Sequence, residues 1–525
     1  FGDDMIGNGD TLVRRFLVLT AFALLGSACD SSPSESGDTD TDGGETGTMA
    51  QSACDTPGGL VLGVDTGATI EDALASAPTG SVIRVPAGDY PAVLIERDDV
   101  SLCGDGARIV SDGAYGIRIT GNDVTVQGFS VAGVVEHRDG AGHGPTGVVL
   151  SGEDILVRDV VASNNGINGF LVTPTAARVR LEGIEAFDNG FAGVALGGGT
   201  GIEIVDATIY KTAGLDEDLG QEYGILTDNI GRTNDEVYVE GIEHVADVTV
   251  RRTTIYGHPG YGIRVSAANR ALSNVVSERI TTRNFNVFDS HLYENGARTD
   301  DFVGGLYHQG NVLLQHVEGG EFSGNRVERG YTWGVDAYAC NFLTFRNNLF
   351  VDNDLGVDTP GVTFNPVGVE INGGHGNVFE RNLAYGNGSG FAATFFPDSG
   401  DAWDTAVDAY DSFDGTYSVE LRGNILLRND PIFDDPDEGP IPGVDYMRFG
   451  PDSVVHVLEN NVIGTIPMWQ GGDPSVLSAD FSALNPLYTA SAEEIFEDAE
   501  AGDFTIRADG PLAGTDIGPE ALHRP

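Results

Sequence analysis

Asp336 and Glu370 carry the chemistry that this sequence suggests first. Each sits two places after a glycine in a recurring phrase of glycine, apolar, any residue, apolar, as in Gly334-Val335-Asp336-Ala337 and Gly368-Val369-Glu370-Ile371. Successive side chains of a strand point to opposite faces, so with the first and third places apolar and inward, the second and fourth face outward. Strands stacked side by side lie ~4.8 Å apart. Two carboxylates at that separation suit a retaining glycosidase, whose carboxyl groups stand about 5–5.5 Å apart. The same two could instead share a Ca²⁺ ion with Asp228, or with a loop acid such as Asp354 or Asp358. Other outward places add recognition chemistry. Arg264 could bind a uronate carboxylate, Tyr307, Trp333 and Tyr338 could stack on sugar rings, and Gln309 and Asn372 offer amides for sugar hydroxyls.

These residues need a scaffold that repeats. The glycine phrase recurs at Gly116, Gly147, Gly169 and Gly193, and less strictly at Gly224, Gly262, Gly305, Gly334, Gly368 and Gly390. The shortest spacing is 22 residues, between Gly147 and Gly169. A strand plus crossover helix takes roughly 30 residues, so the short period fits one coil of three short strands and three turns. A second alternating run follows in each period, such as VRLEGIEA at 179–186 and LTFRNNLF at 343–350, and reads as strand, polar corner, strand. Periods often close on Asn-Gly, as at Asn165-Gly166, Asn189-Gly190, Asn295-Gly296 and Asn387-Gly388, residues that tolerate a left-handed corner. Stacked asparagines can also form side-chain ladders between coils. The pattern predicts an all-β chain wound as a single-stranded parallel β-helix, held by coil-on-coil stacking. Extra residues precede the repeat glycine at 211–222, 297–303 and 354–367, where the outward row turns charged and aromatic. Long insertions in a solenoid map to loops on one face, often the binding face.

The stretch TIEDALASAPTGSVIRVPAGDYPAVLIERDDVSLCGDG, from Thr69 to Gly106, resembles the opening of secreted right-handed parallel β-helix proteins of the pectin-lyase-like group. There a short helix caps the solenoid; here Thr69 to Ala77 would be that helix, with Thr69 and Asp72 forming its capping box. GDFTIRADGPLAGTDIGP, residues 502–519, is similar to the closing segment of such proteins, with Gly510-Pro511-Leu512 in place of the usual Ser-Pro-Ala. The resemblance covers roughly residues 57–519. It implies a carbohydrate-active protein, a polysaccharide lyase or glycoside hydrolase working in a groove on one sheet face, and gives Arg264 the further option of a lyase base. The alternative is a non-catalytic surface protein for adhesion or glycan binding.

The ends and the charge set the context. Arg14 and Arg15 precede the apolar run Phe16–Leu25 and the small residues Gly26-Ser27-Ala28, the order of a bacterial secretory signal. LLGSAC resembles a lipoprotein box, which would make Cys29 the lipidated residue and the lipid the protein's link to a membrane. Residues 1–29 are thus expected to be a signal segment, 30–53 an acidic tether, 54–465 the β-helix, and 466–525 an irregular C-terminal cap and tail. Cell-envelope or secreted, the chain is expected as a monomer in an oxidising compartment, where a Cys54–Cys103 disulfide is plausible. Across 525 residues, 28 Lys and Arg face 80 Asp and Glu, a net charge of −52. This excludes nucleic acid, whose binding rests on neutralising phosphates, and it disfavours a polyanionic glycan unless Ca²⁺ or a local cation bridges it. No P-loop, serine nucleophile elbow or HExxH motif occurs.

Overall fold

The computed structural model describes residues 69–133, 146–212, 220–227, 245–265, 282–302, 305–338, 340–356, 366–372, 374, 376–394, 418–429, 447–449, 454–463 and 490–523, together with 54, 62–63 and 485. Among them, each complete coil from Thr146 onward carries three strands, while in the two coils before it the second and third run on as one, Val100–Ser111 and Val124–Gly133. One coil runs through Asn168–Val172, Ala177–Glu182 and Glu185–Phe187 before the next begins at Ala192–Leu196. Each of these strands pairs in parallel with its equivalent one coil on. The first strands of the coils stack into a twelve-stranded sheet, here called the floor sheet, from Val93–Ile95 to Met447–Phe449. The second and third strands form the rest of the wall. The chain is a parallel β-helix.

Its core follows from the alternation. Val148, Phe170, Val194, Ile225, Ile263, Val312, Val335 and Val369 stand in one register column of the floor sheet, and all are fully buried. Burying each such side chain contributes about 1.5–3 kcal/mol. Stacked Phe285, Phe322, Phe345 and Phe379 fill the later coils. The helix Ile70–Ser76 sits at the N-terminal end with its capping box closed: Asp72 N–H donates to Thr69 Oγ1 and Thr69 N–H to Asp72 Oδ2. Cys54 and Cys103 form a disulfide across a sequence separation of 49. Near the C-terminus, Ile495, Phe496, Phe504, Ile506 and Ile517 pack with Leu383, Ile425 and Val462, so this segment lies along the flank of the last coils. No helix among the described residues is long and apolar enough to cross a membrane. Cys29 and the expected signal and tether lie outside the described residues.

Two buried side-chain ladders tie the coils together. The longer runs Asn165, Asn189, Gln221, His258, Asn295, Asn311, Asn353, Asn387 and Asn429, each side-chain nitrogen donating to the next member. A second runs Asn325, Asn348, Asn382, Asn424, Asn461 and Asn485. The floor-sheet glycines make room for the first. A Cβ on Gly224 would lie 2.5 Å from Ile255 and 3.1 Å from the His258 ring.

His258, which its GHPG context marks as a turn residue, is thus a fully buried ladder member. Gln221 Nε2 donates to its Nε2, so the ring is neutral and its Nδ1–H donates to Asn295 Oδ1. Burial pulls its pKa down to about 4, with the Lys211 charge adding to the effect and Asn295 opposing it. The unfolded chain binds this proton at about pH 6.5, before the folded one does. Stability is therefore complete above about pH 6.5 and falls as pH drops toward 4, by a total on the order of 3 kcal/mol. Urea unfolding of wild type and His258→Asn across pH 4–7 checks this. The variant, with an amide restoring the ladder, is expected to show a flatter profile over that window.

Candidate functional site

The outward column of the floor sheet runs Leu171, Ala195, Leu226, Arg264, Leu313, Asp336, Glu370 and Ala392, one residue per strand. This corrects the sequence-based row at one coil. Gly305 does not open a floor strand. Gly305–His308 pairs antiparallel with Thr299–Phe302 in a hairpin outside the coil stack, and the floor strand of that coil is Val312–Gln315. Tyr307 therefore leaves the outward column to Leu313, and Gln309 leaves the next outward column to Gln315. The hairpin has the same alternation as a floor strand, whereas the true floor strand begins at Asn311, a ladder residue in the place of glycine.

A second outward column stands immediately before the repeat glycines and holds Tyr223, Tyr261 and Trp333. Tyr223 and Tyr261 stand before the glycine, so a row counted forward from it does not reach them, although all three read directly as Tyr-Gly or Trp-Gly. The early part of this face is covered and apolar. Ala192, Ala195, Tyr223, Leu226, Tyr261 and Leu313 form a buried cluster of their own. Trp333, Val367 and Ala392 form another further along.

Polar groups are interspersed with these clusters. Arg264 lies over the Tyr223 ring, its guanidinium carbon 5.1 Å from the ring centroid, and donates to the Tyr223 hydroxyl. Burial raises the pKa of that phenol, the Arg264 charge acting against the rise, so the hydroxyl stays protonated at neutral pH. Glu222, next in sequence to Tyr223, accepts from Arg298 just before the hairpin. His308, at the hairpin's end, is buried against Tyr331 with Nδ1 2.9 Å from the Ala297 carbonyl oxygen. Burial lowers its pKa and keeps it neutral.

Asp336 and Glu370 are direct register partners on adjacent parallel strands, Trp333–Tyr338 and Val367–Asn372. Each is held by a donor from the other's strand. Trp333 Nε1 donates to Glu370 Oε2 at 2.6 Å, and Asn372 Nδ2 donates to Asp336 Oδ1 at 3.2 Å. Trp333 precedes Asp336 on its strand and Asn372 follows Glu370, so the two contacts brace the carboxylates from opposite ends of the pair. Tyr338, half-buried, completes the group and stands edge-on to His316. Arg264 is two strands away, with Leu313 between it and Asp336. The structure thus brings Trp333, Asp336, Tyr338, Glu370 and Asn372 together, sets Arg264 apart as a separate cationic position, and leaves Tyr307 and Gln309 outside both columns. Asp228 and Asp358 lie outside the described residues. Among the described residues, no group of three or more His, Cys, Asp or Glu is arranged to hold a metal ion.

The family model for the right-handed beta helix region matches residues 235–464. No curated protein sequence matches the chain. Among solved structures, the A-module of the Azotobacter vinelandii mannuronan C-5 epimerase AlgE4 is 11% identical, with 75% of this chain and 90% of that chain covered and a TM-score of 0.42. The Dettilon tailspike protein is 11% identical, with 77% and 70% covered and a TM-score of 0.44. PfbA, a surface adhesin of Streptococcus pneumoniae, is 9% identical, with 61% and 82% covered and a TM-score of 0.42.

Proposed function

Because the chain is a right-handed parallel β-helix protein, we propose that the outward face of its floor sheet takes a polysaccharide and hydrolyses it. Asp336 and Glu370 are the carboxylate pair, with Tyr338 and Asn372 as sugar-facing neighbours and the buried Trp333 orienting Glu370. One observation carries this reading: two carboxylates in direct register, each oriented by a hydrogen bond from the strand of the other. Such bracing is what a glycosidase pair needs. One carboxyl protonates the glycosidic oxygen while the other attacks the sugar or activates a water, and both must be held in place. The net charge of −52 favours a neutral glycan over a polyuronate. Arg264, engaged with Tyr223, supplies a cation to the groove rather than the base of an elimination. The Cys54–Cys103 disulfide supports a setting outside the cytoplasm.

The test is a panel of neutral and uronate polysaccharides incubated with the full chain, with added Ca²⁺ or with EDTA. Reducing ends released from a neutral polysaccharide in both conditions, without ultraviolet absorbance from unsaturated products, are expected. Absorbance that EDTA abolishes would mean a Ca²⁺-dependent lyase. Binding without any product would mean an adhesion or glycan-binding protein.

A further inference from the structure

We infer that the C-terminal segment, residues 490–523, is a strap that fixes the coil of Asp336 against the coil of Glu370, with Phe504 and Asp516 as positioning residues for the carboxylate pair. This rests on the hydrolytic reading of that pair and extends it to another wall of the β-helix. The coil of Asp336 comprises Trp333–Tyr338, Asn341–Arg346 and Leu349–Val351. That of Glu370 comprises Val367–Asn372, Asn377–Glu380 and Leu383–Tyr385. In the third strand of each coil the middle residue points inward and the outer two face out. Up to Glu328 the outward pairs are polar or aromatic: Glu185 and Phe187, Thr208 and Tyr210, Thr254 and Tyr256, His291 and Tyr293, Arg326 and Glu328. At the coil of Asp336 they turn apolar, with Leu349 and Val351, then Leu383 and Tyr385, then Ile425 and Leu427. The middle residues Phe350, Ala384 and Leu426 join the main core, whereas the outward ones pack with Ile495, Phe496, Phe504, Ile506, Leu512 and Ile517. The strap's apolar footprint therefore begins at the first of the two site coils.

Its polar contacts grip the same coils one by one. On the coil of Asp336, Glu520 N–H donates to Asn347 Oδ1 at 3.3 Å. On the coil of Glu370, Arg381 Nη2 donates to Asp516 Oδ2 at 3.0 Å, and Phe504 stands edge-on to Tyr385 with ring centroids 5.0 Å apart. On the next coil, Gly518 N–H donates to the Gly423 carbonyl at 2.6 Å, and Arg428 donates to Glu493 and Glu500. Asn347, Arg381 and Gly423 occupy the same corner of successive coils, two places before Leu349, Leu383 and Ile425. Coils of a solenoid otherwise touch only their neighbours, so a segment bound to several at once couples them. The coupling falls where the chain itself constrains least. The link from the third strand of the Asp336 coil to the floor strand of the Glu370 coil runs through 352–366, whereas 164–167 and 188–191 suffice earlier. Asp336 and Glu370 face each other across this step. A slide or tilt of one coil on the other changes their separation, and reacting groups tolerate only a fraction of an ångström of misplacement.

The test loosens the strap at two places and reads the site. Phe504→Ala empties the contact with Tyr385. Asp516→Arg sets a like charge against Arg381 at an exposed position, where folding survives. In the full chain, Phe504→Ala is expected to lower kcat on the polysaccharide roughly tenfold with KM unchanged. Amide exchange should quicken in Trp333–Tyr338 and Val367–Asn372 and stay as in wild type in Asn168–Val172. Asp516→Arg should act in the same direction, and the charge swap Arg381→Asp with Asp516→Arg should restore kcat, as should Phe504→Leu. Faster exchange in the two site strands with kcat retained would overturn the positioning role and leave the segment a cover for an apolar wall. Unchanged exchange in those strands in both loosened variants would overturn the strap itself while the carboxylate reading stands. If wild type releases reducing ends from no polysaccharide, the hydrolytic reading fails and the positioning role falls with it, whatever exchange shows.

Discussion

Glu370→Gln is expected to lower the rate of reducing-end release by about 10³-fold or more, while the protein folds and binds glycan as before. Positioned proton transfer contributes about 10²–10⁴-fold, and a carboxylate pair loses both of its steps when one member cannot ionise. The substitution is nearly isosteric. The carbonyl of the new amide can still accept from the Trp333 indole, so the floor sheet and its 2.6 Å brace have no reason to rearrange. Asp336→Asn is expected to cost a similar factor, and the two variants should differ in a telling way. The variant of the general acid should recover much of its rate on substrates with an activated leaving group, whereas the variant of the nucleophile or base should not. Initial rates on an aryl glycoside and on the natural polysaccharide, measured side by side, assign the roles. Equal, unimpaired rates in both variants would remove the pair from the chemistry.

The largest effect on stability is expected at Asn353, in the middle of the longer ladder. Its Oδ1 accepts from Gly330 N–H and Asn311 Nδ2, and its Nδ2 donates to the Val327 carbonyl and to Asn387 Oδ1. Leucine is close in size but removes four buried hydrogen bonds at once, although Asn311 Nδ2 keeps the Glu328 carbonyl and Asn387 Oδ1 keeps the Asn353 N–H. Each lost bond costs about 1 kcal/mol, and more where a group is left unpaired. Asn353→Leu should therefore lower the unfolding free energy by about 4 kcal/mol or more in urea titrations. By contrast, Arg178→Ala removes exposed ion pairs to Asp154 and Glu153 and should leave the urea midpoint close to that of wild type. Because coils contact only their neighbours, the damage should show first as faster amide exchange in the coils beside Asn353. A loss below about 1 kcal/mol at Asn353 would mean that the ladder is ornamental to a wall held by apolar burial alone.

The coil architecture was legible because inward places repeat as aliphatics and corners as Asn, Asp and Gly, both of which sequence displays directly. The Thr69–Asp72 capping box is a local motif and needs no tertiary information. The placement of the candidate residues was legible where the period was kept: Asp336, Glu370, Trp333, Tyr338 and Asn372 fall on adjoining strands as their spacing from Gly334 and Gly368 implies. It failed where a hairpin imitated a coil. Gly305-Leu306-Tyr307 has the alternation of a floor strand, and alternation alone does not reveal which strand it pairs with. Asn311 hid the true start because its side chain, rather than a missing one, solves the crowding beside the ladder. His258 looked like turn chemistry since burial is a property of the stack and not of the GHPG string.

Glycan chemistry on the outward face of the floor sheet at Asp336 and Glu370 can be seen directly. The most direct measurement is a crystal structure of Glu370→Gln soaked with the oligosaccharide that wild type releases from its best polysaccharide. A sugar is expected to lie over Tyr338 and Asn372, with a glycosidic oxygen within hydrogen-bond distance of residue 336 or 370. Sugar bound instead on another wall, such as the stacked Phe187, Tyr210, Tyr256 and Tyr293, with the floor sheet empty, would contradict it.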